Sequence, residues 1–420
     1  MSKHELEMKY EAIRMWYNEL YPQSKIAQLT GINERTIRKL IKDESMVKAV
    51  LGDVDFDIVK ENVRLAKKVQ TQADKNNIQN KSFREYARID SSVEESNKAL
   101  IEVFSQKKLT LEPIVRTTTQ GKSVLVVQLS DLHFNEIISG LAGNHFDTEV
   151  AAKRVALHVS KSIKIGKALG AESCLLAMTG DLLNSPRRVS EITEAATSRA
   201  NAIFVAVDII QQAIIELRSH FNVTVASIAG NESRFAEYVD WTDFLASDSA
   251  DCVIHNALSL LFKDDTNVQF VPMTSPLETV VEVAGKHILL IHGNGHGFAA
   301  RTGNLESAYQ KLKAKYAGLG VKIDFMLCGH IHSAYVSDWF ARSSGLPGNN
   351  HYSEKSLGLD GRASQNCLVV HSDGNIDVFK NDLQNVAGVT GYNFDKVAAT
   401  LGYQLKKADK GNVLIQKVIV

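Results

Sequence analysis

Several things are scarce in this 420-residue chain. There are four cysteines, Cys174, Cys252, Cys328 and Cys367, and none forms a C-x-x-C pair, which argues against a zinc knuckle. Cys174 and Cys328 lie in apolar runs and read as small core residues. Six prolines and 26 glycines exclude a low-complexity or collagenous chain, and 44% hydrophobic with 23% charged residues excludes a mainly disordered one. Neither sign of charge is in excess: 48 Lys and Arg balance 48 Asp and Glu. The chain is no polycation, so nucleic-acid binding would have to come from a local patch. No run of about 18 apolar residues predicts a membrane span. The N-terminus, MSKHELEMKYEAIR, lacks the apolar stretch of a secretory signal. A reducing cytoplasm is the expected location. Histidine is nearly missing from the first third, where only His4 precedes His133 although the chain has 13. Length suggests two to three domains of ~100–200 residues, and the histidines belong to a different unit from the N-terminus.

What the first 45 residues do contain is helical patterning. Leu6, Tyr10, Ile13 and Tyr17 share one face of a segment over 5–18. From Gln23 to Lys42 the order of small, turn and apolar residues is informative. Ala27 stands where two helices would cross closely, and Gly31 suits a left-handed turn between them. Ile26, Leu29, Ile32, Ile37 and Leu40 are the expected shared core, and Asn33 the N-cap of a second helix, Glu34 to Lys42. That helix carries Arg35, Arg38, Lys39 and Lys42 against a single acid, Glu34. These residues resemble a helix-turn-helix DNA-binding unit; a small helical interaction domain is the alternative. Residues 46–122 read as a polar helical connector, rich in Lys, Gln and Asn over Lys60–Lys81 and amphipathic over Ser91–Phe104. It would pack on the following unit, pair two subunits into a homo-oligomer, or act as a solvated spacer. T-T-T-Q-G-K, ending at Lys122, reads as a turn.

From Ser123 short apolar runs alternate with amphipathic helical stretches, Val150–Leu169, Glu191–Phe221 and Leu305–Tyr316, which predicts an α/β domain over 123–390. Residues 391–420 form a C-terminal edge segment whose V-L-I-Q-K-V-I-V ending predicts a strand. Five apolar runs, V-L-V-V-Q-L, L-L-A-M, V-T-V-A-S-I, I-L-L-I and I-D-F-M-L, each stop at a polar cluster. The clusters are Asp131-Leu132-His133, Gly180-Asp181, Gly230-Asn231-Glu232, His292-Gly293 and Gly329-His330-Ile331-His332. Buried carboxylates and imidazoles are costly without partners, and ligands gather at the C-terminal strand edge of α/β sheets. A metal centre is the economical common partner. Residues two apart on an extended segment point the same way, so Asp131 with His133, and His330 with His332, can converge. Nitrogen and oxygen donors without thiolate suit Mn²⁺, Fe or Zn²⁺, and there are enough donors for two ions.

In this order the clusters resemble the calcineurin-like metallophosphoesterase family, whose pattern is D-x-H, G-D, G-N-H, H, G-H-x-H, over roughly residues 123–380. The resemblance implies a four-layer αββα sandwich and a dinuclear centre. Carried over, Asp131, His133 and His332 would hold one ion, Asn231, His292 and His330 the other, and Asp181 would bridge. A metal-bridged hydroxide would then attack phosphorus, the chemistry of two-ion phosphoester hydrolysis.

This chain departs from the pattern at Glu232, where the family has the histidine thought to serve the leaving group. Glu232 could act as the acid if burial raised its pKa, though a nearby cation would lower it. His296 is a second candidate, and Glu232 as a partner of Arg234 is the structural alternative. Arg187 and Arg188 are candidate phosphate or backbone contacts, or part of a solvated loop. Arg342–Ser364, with His351, Tyr352 and Arg362, reads as a lid or an ordinary surface loop. His145, His158, His220, His255, His287 and His371 read as surface or satisfied core residues. The expected function is Mn²⁺-dependent phosphodiester hydrolysis, with DNA as the substrate and partner. The family includes SbcCD-type nucleases, and the combination fits a phage or bacterial genome. The alternatives are a small-molecule phosphatase or cyclic-nucleotide phosphodiesterase, and a catalytically degenerate DNA-binding protein.

Overall fold

The five apolar runs become strands, and their alternation decides which way each residue faces. The computed structural model describes residues 3–52, 61, 63–65, 68–69, 109, 111, 114, 123–141, 144–185, 194–235, 246–294, 305–350, 361–400, 402 and 405–408. The chain divides into two compact units, Met1–Ser92 and Val93–Val420.

The first unit contains α1 (Lys3–Tyr17), α2 (Gln23–Thr30), α3 (Glu34–Leu40) and α4 (Glu44–Leu51). Gly31 ends α2 at φ 70°, and the Asn33 side chain accepts from the Arg35 N–H, 2.8 Å away, so both act as the pattern predicts. Ala12, Ile13, Tyr17, Ile26, Ile37 and Leu40 fill the core, with Ile32 half-buried. Leu29 is not in that core: it is 54% exposed, because α2 turns Ile26 and Thr30, one turn apart, inward and leaves Leu29 on its flank. The second helix also stops short of Lys42. The Ile41 N–H closes it onto the Ile37 carbonyl, and Asp43 then caps α4 through the N–H groups of Ser45 and Met46. Val47 of α4 and Val63 enter the same core, so packing in this unit continues past residue 45. Most of 53–122, including the amphipathic Ser91–Phe104, lies outside the described residues.

The second unit is a mixed α/β structure. Its larger sheet runs β13-β12-β1-β4-β5-β6, made of β1 (Val124–Leu129), β4 (Ser173–Met178), β5 (Asn222–Ser227), β6 (Val268–Phe270), β12 (Ser364–Val370) and β13 (Ile376–Asp382). A second sheet runs β10-β11-β9-β8-β7, made of β7 (Glu278–Val283), β8 (Lys286–Ile291), β9 (Phe325–Cys328), β10 (Tyr335–Val336) and β11 (Phe340–Arg342). β2 (Ile138–Leu141) and β3 (Asn144–Phe146) form a small hairpin. β1, β4, β5 and β6 are mutually parallel, as are β8, β9 and β11.

Along β1 the even and odd residues part company. Val126 joins Leu175, Ala177 and Ala226 of the larger sheet and Ile288, Leu290, Phe325 and Leu327 of the smaller in one apolar cluster, so the two sheets share a core. Leu125, Val127 and Leu129 face the other way, onto α5 (Thr148–Ala168), α6 (Arg199–Arg218) and α7 (Ala250–Leu261). On the smaller sheet Leu289, Ile291, Met326 and Cys328 face α8 (Leu305–Gly318). A short helix, α9 (Asp395–Thr400), follows β13. By length and composition α6 could cross a membrane, but Ile203, Val207, Ile210 and Ile214 fill the helix-side core instead. It begins at Arg199, capped by Ser198, rather than at Glu191.

Two further expectations change. Residues 343–348, read as a lid or surface loop, are buried: Leu346 lies in the helix-side core and its carbonyl accepts from the Arg154 guanidinium at 2.7 Å. His351 and Tyr352 fall outside the described residues, as do the T-T-T-Q-G-K turn and the V-L-I-Q-K-V-I-V ending. Before that ending, Tyr392, Phe394 and Leu405 pack on the helix-side core.

Candidate metal centre

Because β1, β4 and β5 are parallel, Asp131, Asp181 and Asn231 leave one edge of the larger sheet. His292 and His330 likewise follow the parallel strands β8 and β9. With the sheets packed on each other, these edges meet. Asp131, His133 and His332 form one group of donors, and Asp181, His292 and His330 another; within each, the donor atoms lie within 4.8 Å of one another. The groups adjoin. His292 Nε2 is 2.8 Å from Asp181 Oδ2 and 4.0 Å from Asp131 Oδ1, and the His330 N–H donates to Asp131 Oδ1 at 3.0 Å. Asn231 sits between Gly230, packed on Asp181, and Glu232, whose N–H donates to Asp181 Oδ1 at 2.6 Å.

The backbone is strained where the donors are. Seven described non-glycine residues have positive φ, and five of them are Asp131 (50°), His133 (44°), Asp181 (53°), His330 (74°) and His332 (55°). Each such residue costs about 1–2 kcal/mol relative to right-handed backbone. Strain concentrated in this way marks a site whose geometry the rest of the fold imposes. The motif glycines make the approach feasible: a Cβ on Gly329 would collide with Ser130 Oγ and the Asp131 carboxylate, and one on Gly230 with Asp181.

The donors are oriented from behind. His292 Nδ1 lies 2.8 Å from the Thr179 carbonyl, which can only accept, so Nδ1 carries the proton and Nε2 faces the carboxylates. Ser130 Oγ donates to Asp131 Oδ2 at 2.6 Å, while Gln365 holds both the N–H and the carbonyl of Ser130. Gln128 bonds Thr179 and the Cys328 carbonyl, linking the sheets below the site.

Electrostatics favour positive charge here. Burial pushes the His292 imidazole down, but Asp181 and Asp131 outweigh it and hold it at about 10. At His332 burial is outweighed by the hydrogen bond and charge of Asp131, which hold it at about 9. Burial raises Asp131 and Asp181, yet the surrounding histidines keep both below the usual carboxylate range. His330, desolvated and beside His292, falls to about 4. Two buried atoms, His133 Nδ1 and Asn231 Oδ1, make no hydrogen bond, and His292 Nε2 has only the Asp181 carboxylate before it. An orphaned amide oxygen and a ring of imidazoles around two buried carboxylates are what cation ligands look like, so this donor set fits divalent metal.

Of the other sequence candidates, Glu232 donates its backbone N–H to Asp181 and Arg234 follows on the same loop, while His296, Arg187 and Arg188 lie outside the described residues. In the first unit Arg35, Arg38, Lys39 and Lys42 are exposed, the last beyond the end of α3. Sequence reasoning missed three contributors. Arg199 binds the carbonyls of Ser233 and Arg234 at 2.8 and 2.9 Å, fixing the loop that carries Asn231. Glu136 is a buried carboxyl that burial pushes up, against the pull of His133, and its Oε1 accepts from Asn350 at 2.8 Å. Asp251 accepts from backbone N–H groups of both ligand loops, and burial, with Asp181 nearby, pushes it up to about 6. Only Glu136 had a signal, its place three residues after His133.

No protein-family model matches this chain, and no curated protein sequence matches it. Among solved structures, it is similar to a zinc-complexed Vps29 from Entamoeba histolytica, at 11% identity over 62% of this chain and 99% of that one, with a TM-score of 0.30. It is also similar to a calcineurin-like phosphoesterase, YfkN, from Bacillus subtilis, at 10% identity over 67% and 96%, TM-score 0.28. A third is a conserved uncharacterized protein, described as a predicted phosphoesterase, from Streptococcus pneumoniae, at 11% identity over 62% and 98%, TM-score 0.25. Similarities this slight carry no functional argument, which rests on the residues themselves.

Proposed function

We propose that this chain is a cytoplasmic, metal-dependent phosphoesterase of the calcineurin-like metallophosphoesterase type, and that it hydrolyses phosphodiesters in DNA. The observation that carries the reading is the meeting of Asp131, His133 and His332, and of Asp181, His292 and His330, in two adjoining donor groups. The two sheets with a shared core and helices on their outer faces are consistent with that family's four-layer sandwich.

In this reading Asp131, His133 and His332 would hold one ion and Asn231, His292 and His330 the other, with Asp181 the carboxylate the family pattern would share between them. Two divalent ions, Mn²⁺ by preference with Fe or Zn²⁺ as alternatives, supply a nucleophile from water near neutral pH and neutralise charge on phosphate. The chain's own groups do the positioning. Ser130 steadies the Asp131 carboxylate, and the Thr179 carbonyl keeps the proton of His292 on Nδ1. Glu232 occupies the family's histidine position and is assigned the proton for the leaving oxygen, with His296 the reserve candidate and Arg234 the partner that steadies its loop. Arg187 and Arg188 are assigned to phosphate contact. In the first unit α2 and α3 are read as a helix-turn-helix that brings DNA through Arg35, Arg38, Lys39 and Lys42.

A second reading rests on that same substitution of Glu232 for histidine, which favours a DNA-binding chain with a silent site. The full-length Mn²⁺-loaded protein, assayed on bis(p-nitrophenyl) phosphate and on DNA, separates the two. The enzymatic reading expects cleavage that Asp181→Asn abolishes. Metal uptake without cleavage of either substrate favours the silent site, and cleavage unaffected by Asp181→Asn overturns the metal assignment.

A further inference from the structure

Asp251 lies in the first turn of α7, 1% exposed, and α7 does not need it as a cap because Ser249 fills that role. Its carboxylate faces the two loops that carry Asp181 and Asn231. Oδ2 accepts from the Asp181 N–H at 3.1 Å and from the Gly230 N–H at 2.8 Å, and Oδ1 accepts from the Leu182 N–H at 3.0 Å. Three backbone donors, Asp181 and Leu182 on one loop and Gly230 on the other, thus end on one side chain. The loops also touch directly, since a Cβ on Gly180 would collide with the backbone of Gly230. A buried anion close to a second carboxylate is costly, and helix packing alone would be served as well by an apolar residue. Its bonds to both loops are what it contributes.

We propose that Asp251 is a positioning residue that fixes the separation of Asp181 from Asn231 and so sets the affinity for the second ion. This rests on the metal-centre reading. Neither loop can slide without breaking a bond to the shared carboxylate, so α7 acts as the gauge for the two ligands. Asp251→Asn loses acceptor capacity and turns an N–H₂ group toward backbone donors. Asp251→Glu keeps the charge and both acceptors but lengthens the arm by one methylene. Ile254→Val, a fully buried residue of the same helix, weakens packing without touching either loop.

The test is calorimetric titration of Mn²⁺ into the metal-free full-length protein and these variants, with amide hydrogen exchange over 179–184 and 229–233 and with Tm recorded. The expected result is two ions in the wild type. In both Asp251 variants the second binds at least about tenfold more weakly, in the range seen when an outer hydrogen-bond partner of a ligand is lost. The loop amides exchange faster in both, and Ile254→Val loses Tm but keeps both ions. Should Asp251→Asn fail to fold, Asp251→Glu carries the test. Wild-type affinity in Asp251→Glu would assign any effect of Asp251→Asn to charge and overturn the proposal, as would equal weakening in Ile254→Val. A wild type that binds no Mn²⁺ overturns the metal reading itself, whatever the amides do.

Discussion

The imidazoles of His133 and His332, 199 positions apart in the chain, meet with their Nε2 atoms 3.1 Å apart. Two ring nitrogens at that distance repel if both present lone pairs, and a proton or a metal ion resolves the conflict. With Asp131 Oδ1 3.2 Å from His332 Nε2, the pair is built around positive charge.

Metal uptake should therefore release protons. His292 at about 10 and His332 at about 9 hold protons at neutral pH in the ion-free chain, and ligands must give them up to bind metal. Affinity for Mn²⁺ is expected to fall as pH is lowered from 8 to 6. Titrations in buffers of different ionisation enthalpy at pH 7.5 should give a net release of about two protons per chain; no dependence on buffer would contradict this.

Gly329→Ala should damage the centre more than the fold. The added methyl has to displace Ser130 Oγ and the Asp131 carboxylate, both part of the ligand arrangement. Mn²⁺ affinity is expected to drop by more than the ~10–100-fold that follows loss of a ligand's hydrogen-bond partner. Far-ultraviolet circular dichroism should stay unchanged. Undiminished binding would show that the loop has slack the packing does not suggest.

Acid stability should depend on His158. This residue is fully buried between α5 and β1, where Nε2–H donates to the Gln128 carbonyl and Nδ1 accepts from Asn381. Burial lowers it to about 3 from the ordinary 6.5. The unfolded chain then binds a proton that the folded chain refuses, so stability present above pH 6.5 is lost as pH falls toward 3. The slope is up to about 1.4 kcal/mol per pH unit. Urea unfolding at pH 7, 5.5 and 4.5 should show this fall, and His158→Gln should make it shallower while lowering stability at pH 7. Parallel slopes in the two proteins would rule the residue out as the source.

Arg38→Ala combined with Lys39→Ala tests the first unit. If α3 contacts phosphates, DNA affinity falls across sequences and the dependence of log affinity on log salt flattens by about 1 per lost contact. Hydrolysis of bis(p-nitrophenyl) phosphate, which has no nucleic-acid backbone for α3 to hold, should persist. A salt slope identical to wild type would remove this helix from the DNA-binding account.

The chemistry of this chain is written mostly at strand ends, which is why much of it could be read early. V-L-V-V-Q-L is short and nearly all apolar, and it stops just before Asp131; the polar residue after a buried strand is conspicuous in one dimension. β12 was harder. S-Q-N-C-L-V-V carries Gln365 and Asn366 where a core strand would be apolar, because both amides join the buried network under the centre. Leu29 misled for the opposite reason: an apolar residue in a short helix has no neighbours in sequence to fix its phase. Asp251 was invisible, since S-D-S-A-D-C looks like any helix start and its partners lie 21 to 70 residues away.

The larger sheet supplies Asp131, His133, Asp181 and Asn231, and the smaller supplies His292, His330 and His332. Cations gripped by both would rivet one slab to the other. Stripping them with a chelator should loosen that seam first, so inactivation and melting would begin at the same joint, and the loaded chain would melt at a temperature that rises with free metal concentration.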